Sequence, residues 1–288
     1  MKRLFALLLS LALCLSLSAC AAQGSERVVV ASFYPVYIFA ENLLDGVPGV
    51  RLTSLTPPTT GCLHDYQLLT SDMRALADAS LLLVNGAGME SFLPDVQKQY
   101  PALPVADCSA GVALLADEHG ENAHIWLDPK NAIQMAQNMA AGLMETFPEH
   151  EAKIKENLAA YQARLTALDK ELAAALQALP NKNIATFHEA FPYFANAYGL
   201  NVVACVTLDP DEAPSPKALA EVVELIKGAG GCPLFSEPDV VSPALTTVQS
   251  ETGAPLYVLD PVTTGDGAPS DYEDKMRLNA RTLCEALQ

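Results

Sequence analysis

Short apolar runs rich in β-branched residues alternate along the chain with longer segments that have helical periodicity. The runs are RVVVASF at 27–33, VRLTSL at 50–55, SLLLVN at 80–85, NIATF at 183–187, NVVAC at 201–205, PLFSE at 233–237 and PLYVLD at 255–260. This alternation is typical of βα units, in which helices cover the faces of a parallel sheet. The strands fall into an early and a late group, so we predict an α/β fold with two βα lobes.

One long helical segment, residues 148–180, lies between the two groups of strands. It begins at Pro148, ends at Pro180 and contains no glycine, and apolar residues recur in it every three or four positions from Ile154 to Leu176. A helix of about thirty residues is roughly 45 Å long. We therefore predict a rigid connecting helix, with an amphipathic coiled-coil dimer as the alternative interpretation.

The first nineteen residues have the layout of an export signal, with Lys2 and Arg3 ahead of a mainly apolar run that ends in small residues. The sequence LSAC at 17–20 resembles a bacterial lipoprotein cleavage box, which makes Cys20 the predicted lipidation site and membrane tether. A freely secreted protein cleaved near Ala21 is the alternative. The predicted organisation is a signal peptide at 1–19, a lipidated tether at 20–26, an N-terminal lobe at 27–147, the connecting helix at 148–180 and a C-terminal lobe at 181–288.

The mature chain is strongly acidic. Of 17 basic residues, the loss of Lys2 and Arg3 leaves 15 against 34 acidic ones, a net charge of about −19. This charge disfavours nucleic acid and anionic membrane surfaces as partners, and it suits a cationic ligand. Five cysteines remain beyond Cys14 and Cys20, and in an exported protein they are open to oxidation. Their odd number leaves at least one thiol unpaired, and spacing alone assigns no pairs.

Four unusual polar residues follow predicted strands or precede a helix, and they are His64, His124, His188 and Asp260. At least three of them emerge at the carboxyl ends of parallel strands, the edge at which open α/β sheets bind ligands. Three imidazoles and a carboxylate complete the tetrahedral shell of Zn²⁺, whereas a catalytic zinc site keeps one position for water. The pattern therefore favours holding an ion over catalysis. Spacings of 60, 64 and 72 residues place that ion between the lobes.

Each of these residues also has an ordinary structural interpretation. His64 is equally well explained as a loop histidine, His188 as a helix cap and Asp260 as a turn residue before a proline. His124, which lies beside the only tryptophan of the chain, has the alternative of a buried core histidine. The two remaining histidines are interpreted mainly as solvated.

The same segments resemble a known family, the metal-binding receptor lipoproteins of bacterial ABC importers for zinc and manganese, and most closely its zinc branch. The matching segments are ASFYPVYIFAENL at 31–43, LHDYQLLTSDMRALADASLLLVNGAGMESFL at 63–93, AHIWLDPKNA at 123–132, ATFHEAFPYFANAYGL at 185–200 and LFSEPDVVSPALTTVQSETGAPLYVLDP at 234–261. The resemblance covers essentially all of the mature chain. It implies two βα lobes joined by one long backbone helix.

By position, the resemblance implies that His64, His124, His188 and Asp260 are the metal ligands. The third of these four implied ligands is a histidine, His188. This favours Zn²⁺, because imidazole is a softer ligand than carboxylate and carboxylate-rich ligand sets suit manganese. Mn²⁺ or Fe²⁺ is the alternative cargo.

Cysteines and loops supply further expectations. The resemblance implies a disulfide between Cys232 and Cys284, for which two reduced core thiols are the alternative. The family usually has a proline directly before the first histidine. This chain has Leu63 there, preceded by Cys62, which leaves a thiolate near the ion as an open alternative. The long histidine-rich loop of many zinc members is reduced here to DEHGEN at 117–122.

The resemblance implies an extracytoplasmic solute-binding lipoprotein, anchored at the outer face of the bacterial membrane, that captures Zn²⁺ for an ABC permease and its ATPase subunit. We expect a monomer and only a modest lobe shift on binding, because the connecting helix resists hinge motion. The chain has no GxxxxGK[ST] loop, so ATP hydrolysis is not expected of it. Two other classes stay as alternatives, a zinc hydrolase with Asp260 or Glu189 as general base and an adhesin-like surface protein with a structural metal.

Overall fold

The computed structural model describes residues 26–63, 66–117, 120–206, 214–240 and 242–288. The predicted signal peptide, the predicted lipidation site Cys20 and the predicted ligand His64 lie outside these residues. Within the described ranges, no helix combines the length and the apolar character needed to cross a membrane.

The first half of the described chain folds around one parallel sheet. Its elements are β1 (Arg27–Ala31), α1 (Tyr34–Leu44), β2 (Val50–Ser54), α2 (Thr70–Ala77), β3 (Ala79–Val84), α3 (Leu93–Gln99), β4 (Val105–Asp107), β5 (Ala116–Asp117), β6 (Gly120–Glu121) and α4 (Pro129–Thr146). The strand order is β2-β1-β3-β4, and every neighbouring pair in it is parallel. The central strand β1 is almost entirely buried, as expected where helices cover both faces of a parallel sheet.

The second half has the same layout. Its elements are β7 (Asn183–Thr186), α6 (Pro192–Tyr198), β8 (Asn201–Cys205), α7 (Pro216–Gly228), β9 (Leu234–Ser236), α8 (Pro243–Thr252), β10 (Leu256–Val258) and α9 (Asp271–Ala286). The parallel order β10-β9-β7-β8 repeats that of the first sheet, with β7 and β9 in the places of β1 and β3. In each sheet the strand order reverses between these two central strands, and ligands bind at such switch points.

The connecting helix α5 (Glu151–Gln177) follows α4 after a 3₁₀ turn at Pro148–His150. The predicted apolar face is buried from Ile154 through Leu168 to Leu176, and it packs against α1, α4 and α9. The prediction of an α/β fold with two parallel sheets joined by one long helix is confirmed. Because the chain's own helices cover this face, the fold does not need a coiled-coil partner.

Polar contacts attach α5 to both halves of the protein. The side-chain amide of Asn157 donates to the backbone oxygens of Leu43 and Asp45 at 2.9 and 2.8 Å. Seven residues later along the chain, Arg164 Nε donates to the buried carboxylate of Glu273 on α9 at 2.9 Å. Rotation of one half against the other would therefore break specific hydrogen bonds as well as apolar packing.

The two cysteines with an implied disulfide lie in different parts of the core. Cys232 belongs to a small apolar cluster between β7–β9 and α7–α8. Cys284 packs at the edge of the main core, where its Sγ is 3.5 Å from the backbone oxygen of Ala175 on α5. Both are free thiols, so the disulfide that the resemblance implies is not formed in this structure.

Candidate metal centre

Three potential metal ligands meet at the cleft between the two halves, namely Cys62, His124 and His188. Their ligand atoms all lie within 4.8 Å of one another. Cys62 is in the loop between β2 and α2, His124 lies just before the 3₁₀ helix Ile125–Leu127, and His188 follows β7. The structure thus brings together two of the predicted histidines from opposite halves, and it adds a thiol.

The ring of His124 is buried and oriented by Asn122. The Asn122 side-chain oxygen accepts from the His124 backbone N–H at 2.9 Å and lies 3.2 Å from Nδ1 of the ring. When Nδ1 carries the proton for this hydrogen bond, the lone pair is on Nε2. Nε2 is 3.5 Å from Cys62 Sγ, so it points into the cluster. An oxygen acceptor on the outer ring nitrogen is the usual support for a metal-binding histidine.

Trp126 fixes the backbone that carries His124. Its indole is fully buried, and Nε1 donates to the backbone oxygen of Pro261 at 2.8 Å. The hydroxyl of Tyr272 on α9 donates in turn to the Trp126 carbonyl at 2.7 Å. Asp128 then caps α4 by accepting from the Lys130 backbone N–H at 2.8 Å. Trp126 and its neighbours therefore hold His124 by contacts to the other half of the protein.

A buried carboxyl supports the same segment from the first sheet. Glu90 accepts hydrogen bonds from Ser32 Oγ and the Asn85 N–H, both at 2.7 Å, and from the Gly86 N–H at 3.1 Å. Burial raises the pKa of Glu90 to about 7, although these hydrogen bonds lower it. The side chain of Asn85 reaches the carbonyl of Ala123 at 2.9 Å. The turn after β3 is thereby linked to the residue that precedes His124.

His188 is oriented by Glu237. Nδ1 of His188 forms a hydrogen bond with Glu237 Oε1. Glu237 follows β9 and His188 follows β7, so this pair lies at the switch point of the second sheet. The rings of His188 and His124 are edge to face, with their centroids 4.8 Å apart. With Nδ1 engaged by the carboxylate, Nε2 is the ring nitrogen that is left to bind a metal.

The protonation of His188 and Cys62 is linked. Burial lowers the pKa of His188, but hydrogen bonds and charge interactions with Cys62 and Glu237 raise it to about 10. Burial raises the pKa of the Cys62 thiol, while the nearby imidazolium of His188 lowers it. The His188 imidazole and the Cys62 thiol therefore carry protons on atoms that would bind a cation, so cation binding displaces protons.

Hydrogen bonds across the cleft hold the two histidine segments together. Asn122 Nδ2 donates to the Glu189 carbonyl at 2.8 Å. The Tyr193 hydroxyl on α6 donates to the Asn122 carbonyl at 2.8 Å and accepts from the Leu115 N–H at 2.9 Å. The segments that carry His124 and His188 are thus connected directly, and their separation is set by the protein itself.

The structure places Asp260 in a different set of contacts. One carboxylate oxygen accepts from Lys275 Nζ at 2.6 Å and the other from the Val262 N–H at 2.7 Å. The backbone N–H of Asp260 donates to Asn279 Oδ1, and Asn279 Nδ2 donates to the backbone carbonyl of Asp260. Among the described residues, Asp260 is not in the group of ligand atoms that lie within 4.8 Å of one another.

Glu237 and Asn122, which orient the two candidate histidine ligands, were not predicted from the sequence. Neither lies at a recognisable spacing from its histidine, since Glu237 is 49 residues beyond His188 and Asn122 is only two before His124. The position of Glu237 directly after the strand PLFS is the one available indication, because this edge of the sheet gathers ligands.

Two imidazoles and a thiol are nitrogen and sulfur donors of the kind that zinc sites use. Two parallel βα lobes on a rigid helix, with such a site between them, define a metal-binding solute-binding protein. The chain belongs to the family described as zinc-uptake complex component A, periplasmic, whose model matches residues 29–286. Its members are solute-binding proteins and not enzymes, so the hydrolase alternative is set aside.

Characterised relatives share the sequence over most of the chain. It is 30% identical over 264 residues to the high-affinity zinc uptake system protein ZnuA of Haemophilus ducreyi, which covers 81% of this chain and 84% of that protein. It is 29% identical over 297 residues to the zinc-binding protein AdcA of Streptococcus pyogenes. That match covers 91% of this chain, but the chain spans only 56% of AdcA, about half of its length.

Solved structures have the same fold. A crystal structure of ZnuA is 26% identical with a TM-score of 0.80, and the match covers 91% of this chain and 99% of that one. The solute-binding protein FpvC of Pseudomonas aeruginosa, in complex with Ni²⁺, is 27% identical with a TM-score of 0.81 and coverages of 91% and 97%. FpvC has also been solved with Mn²⁺, with a TM-score of 0.82 at 28% identity and coverages of 91% and 98%.

Proposed function

We propose that this protein is an extracytoplasmic solute-binding lipoprotein that captures Zn²⁺ and delivers it to an ABC permease driven by its ATPase subunit. The observation that carries the proposal is the meeting of His124 and His188, from opposite halves, with their Nδ1 atoms held by oxygen acceptors. With both Nδ1 atoms engaged, Nε2 is the ring nitrogen of each histidine that is left for a cation. A cation bound there would be held by both lobes at once, as cargo for transport requires.

Zinc is the proposed cargo because the donors are imidazoles and a thiol. Such donors suit Zn²⁺ better than Mn²⁺, which prefers carboxylates and water. The zinc-named relatives support this choice. FpvC, with Ni²⁺ or Mn²⁺ in its structures, makes Mn²⁺ the cargo to test against zinc.

His64 is proposed as a third imidazole ligand, on the basis of its position in the sequence. His64 is two residues after Cys62 in the sequence. The Sγ atom of Cys62 lies in the cluster, which supports a ligand from the same loop. The resemblance assigns the remaining position to Asp260. That assignment is tested with the Asp260→Asn variant below.

Attachment to the outer face of the membrane is proposed through a lipid on Cys20. The support is the cleavage box LSAC and the strongly acidic composition, which suits an extracytoplasmic cation receptor. Metabolic labelling of the full chain with a fatty acid would test the anchor. Labelling is expected in the natural chain and not in Cys20→Ala, and equal labelling of both would contradict it.

Calorimetric titration of chelator-stripped protein tests the metal cargo. We expect one site that binds Zn²⁺ more tightly than Mn²⁺, and loss of at least about tenfold in zinc affinity in His124→Ala and in His188→Ala. His150→Ala is the matched control, because His150 lies at the start of α5 next to Glu149 and outside the cluster. Unchanged zinc affinity in both site variants would refute the proposed function.

A further inference from the structure

We propose that the Cys62 thiolate is a direct ligand of the transported ion and takes the position that the resemblance assigns to Asp260. The consequence is a sulfur-containing site selective for Zn²⁺ and Cd²⁺ against Mn²⁺. This inference rests on the proposed function, because it concerns the same site and the same cargo.

The distance between the Cys62 sulfur and one imidazole nitrogen matches that in a tetrahedral site with one sulfur. Typical Zn–N and Zn–S bonds of about 2.05 and 2.3 Å put the nitrogen and sulfur of a tetrahedron about 3.5 Å apart. Cys62 Sγ and His124 Nε2 are 3.5 Å apart. An ion could therefore enter between them with little movement of either side chain.

The loop that carries Cys62 is held in place on both sides of the cysteine. The next residue, Leu63, is fully buried in the main core. Just before it, Gly61 has a φ of +82°, a backbone conformation that side chains disfavour. Further back, the carbonyl of Pro58 accepts from the Gly265 N–H at 3.2 Å, a contact across the cleft. The loop is thus positioned by packing and by the opposite half of the protein.

Asp260 already has a partner for its charge. Its carboxylate and the Lys275 ammonium are 2.6 Å apart, and their side chains are only 14% and 16% exposed. Moving the carboxylate to a metal would leave the Lys275 cation without this partner in a poorly solvated place, which is costly. Asp260 acts instead as the anion that holds Lys275 and the turn at Val262.

The Cys62 sulfur binds a metal ion as a thiolate, after the thiol has lost its proton. On binding, one Sγ–metal bond forms and the thiol proton passes to the solvent, with no change of oxidation state. Thiolate is a soft donor that favours Zn²⁺ and Cd²⁺, whereas Mn²⁺ favours oxygen donors. Cys62 would therefore set the selectivity of the site.

Spectroscopy of the metal-loaded protein tests this assignment. With Co²⁺ or Cd²⁺ as the probe, a thiolate ligand gives a ligand-to-metal charge-transfer band in the ultraviolet. We expect this band in the unmodified protein and in the control Cys284→Ser, whose thiol lies on α9, and not in Cys62→Ser. The ratio of zinc to manganese affinity should fall at least about tenfold in Cys62→Ser and stay within about twofold in Asp260→Asn.

The results of these experiments distinguish the proposed role of Cys62 from the proposed receptor function. If the unmodified protein binds zinc tightly but shows no thiolate band with Co²⁺ or Cd²⁺, the role of Cys62 is refuted while the receptor function stands. The spectrum of the unmodified protein decides this even if Cys62→Ser folds poorly. If the unmodified protein binds neither zinc nor cobalt, both proposals fail.

Discussion

Glu237 determines which nitrogen of His188 faces the candidate metal centre. Its carboxylate binds Nδ1, and it is only 20% exposed, so its charge is poorly screened. Glu237→Gln keeps the shape but removes the charge that makes the ring a stronger donor. We expect zinc affinity to fall by about 10-fold to 100-fold, the usual range for partners of ligating histidines.

Calorimetric zinc titration would measure this change, with Glu251→Gln as the control. Glu251 is an exposed carboxylate on α8, in the same half of the protein. Equal affinities in the two variants would show that Glu237 does not support His188.

Glu90 makes the stability of the protein depend on pH. Burial raises its pKa to about 7 in the folded state, above the ordinary value of 4.5. Between these two values the folded state keeps a proton that the unfolded state has released, so the free energy of unfolding falls as pH rises from about 5 to about 8. The contribution of Glu90 to this fall is on the order of 2 kcal/mol.

Urea unfolding at both pH values would check the effect. Glu90→Gln should lose less stability over this interval than the unmodified protein, because glutamine does not titrate. Glu145→Gln, which changes an exposed carboxylate on α4, should follow the unmodified protein. Parallel behaviour of Glu90→Gln and Glu145→Gln would contradict the assignment of the pH dependence to Glu90.

At the residue scale, the meeting of His124 and His188 in one candidate site could be predicted because histidines are rare in this chain and both lie beside predicted element ends. Their partners Asn122 and Glu237 could not, since a hydrogen bond between segments leaves no periodicity in a sequence. The Asp260 side chain is held by Lys275, which lies on α9, the helix that follows Asp260 in the chain. Such a contact emerges only when the turn and α9 are packed together.

The connecting helix α5 is the element that joins the core of the two halves. Leu168 is completely buried near its middle. Leu168→Ala should lower the free energy of unfolding by about 2 to 5 kcal/mol, because it removes apolar contacts and leaves a cavity. Chemical denaturation measures this loss, and Lys170→Ala, at an exposed position of the same helix, is the control.

Zinc affinity should be nearly the same in Leu168→Ala as in the unmodified protein, since Leu168 lies on α5 and the candidate ligands lie outside this helix. A loss of metal binding as large as that of His124→Ala would contradict the separation of the helix from the site.

At the element scale, the long helix could be predicted because it buries a continuous apolar stripe, and seven strands could be predicted because they lie in apolar runs rich in β-branched residues. Strand β4 is the segment VAD at Val105–Asp107, which lies in no apolar run of the kind that marks the predicted strands, and β5 and β6 span only two residues each. The equivalence of strand order in the two sheets also depends on pairing between distant segments. Pairing of this kind is decided by packing and not by local pattern.

For the whole molecule, we expect metal to stabilise the protein without a large change of shape. The halves are joined by α5 and by hydrogen bonds such as that from Asn122 to the Glu189 carbonyl. The melting temperature should rise with free zinc, with about 2.7 kcal/mol of added stability at a concentration 100 times the Kd. Calorimetry and small-angle scattering of the stripped and zinc-loaded protein would test both expectations. A scattering change as large as that of a wide domain closure would contradict the proposed rigidity.

The repeated strand order has a consequence for how the cargo would leave. Cys62 and His124 lie in the half that contains the first sheet and His188 follows β7 of the second, so each half supplies only part of the candidate ligand set. An ion shared in this way loses donors as soon as the halves are displaced by a fraction of a bond length. A permease that separates the two halves would therefore need little mechanical work to weaken the hold on the ion, because the half that carries Cys62 and His124 would lose the imidazole of His188.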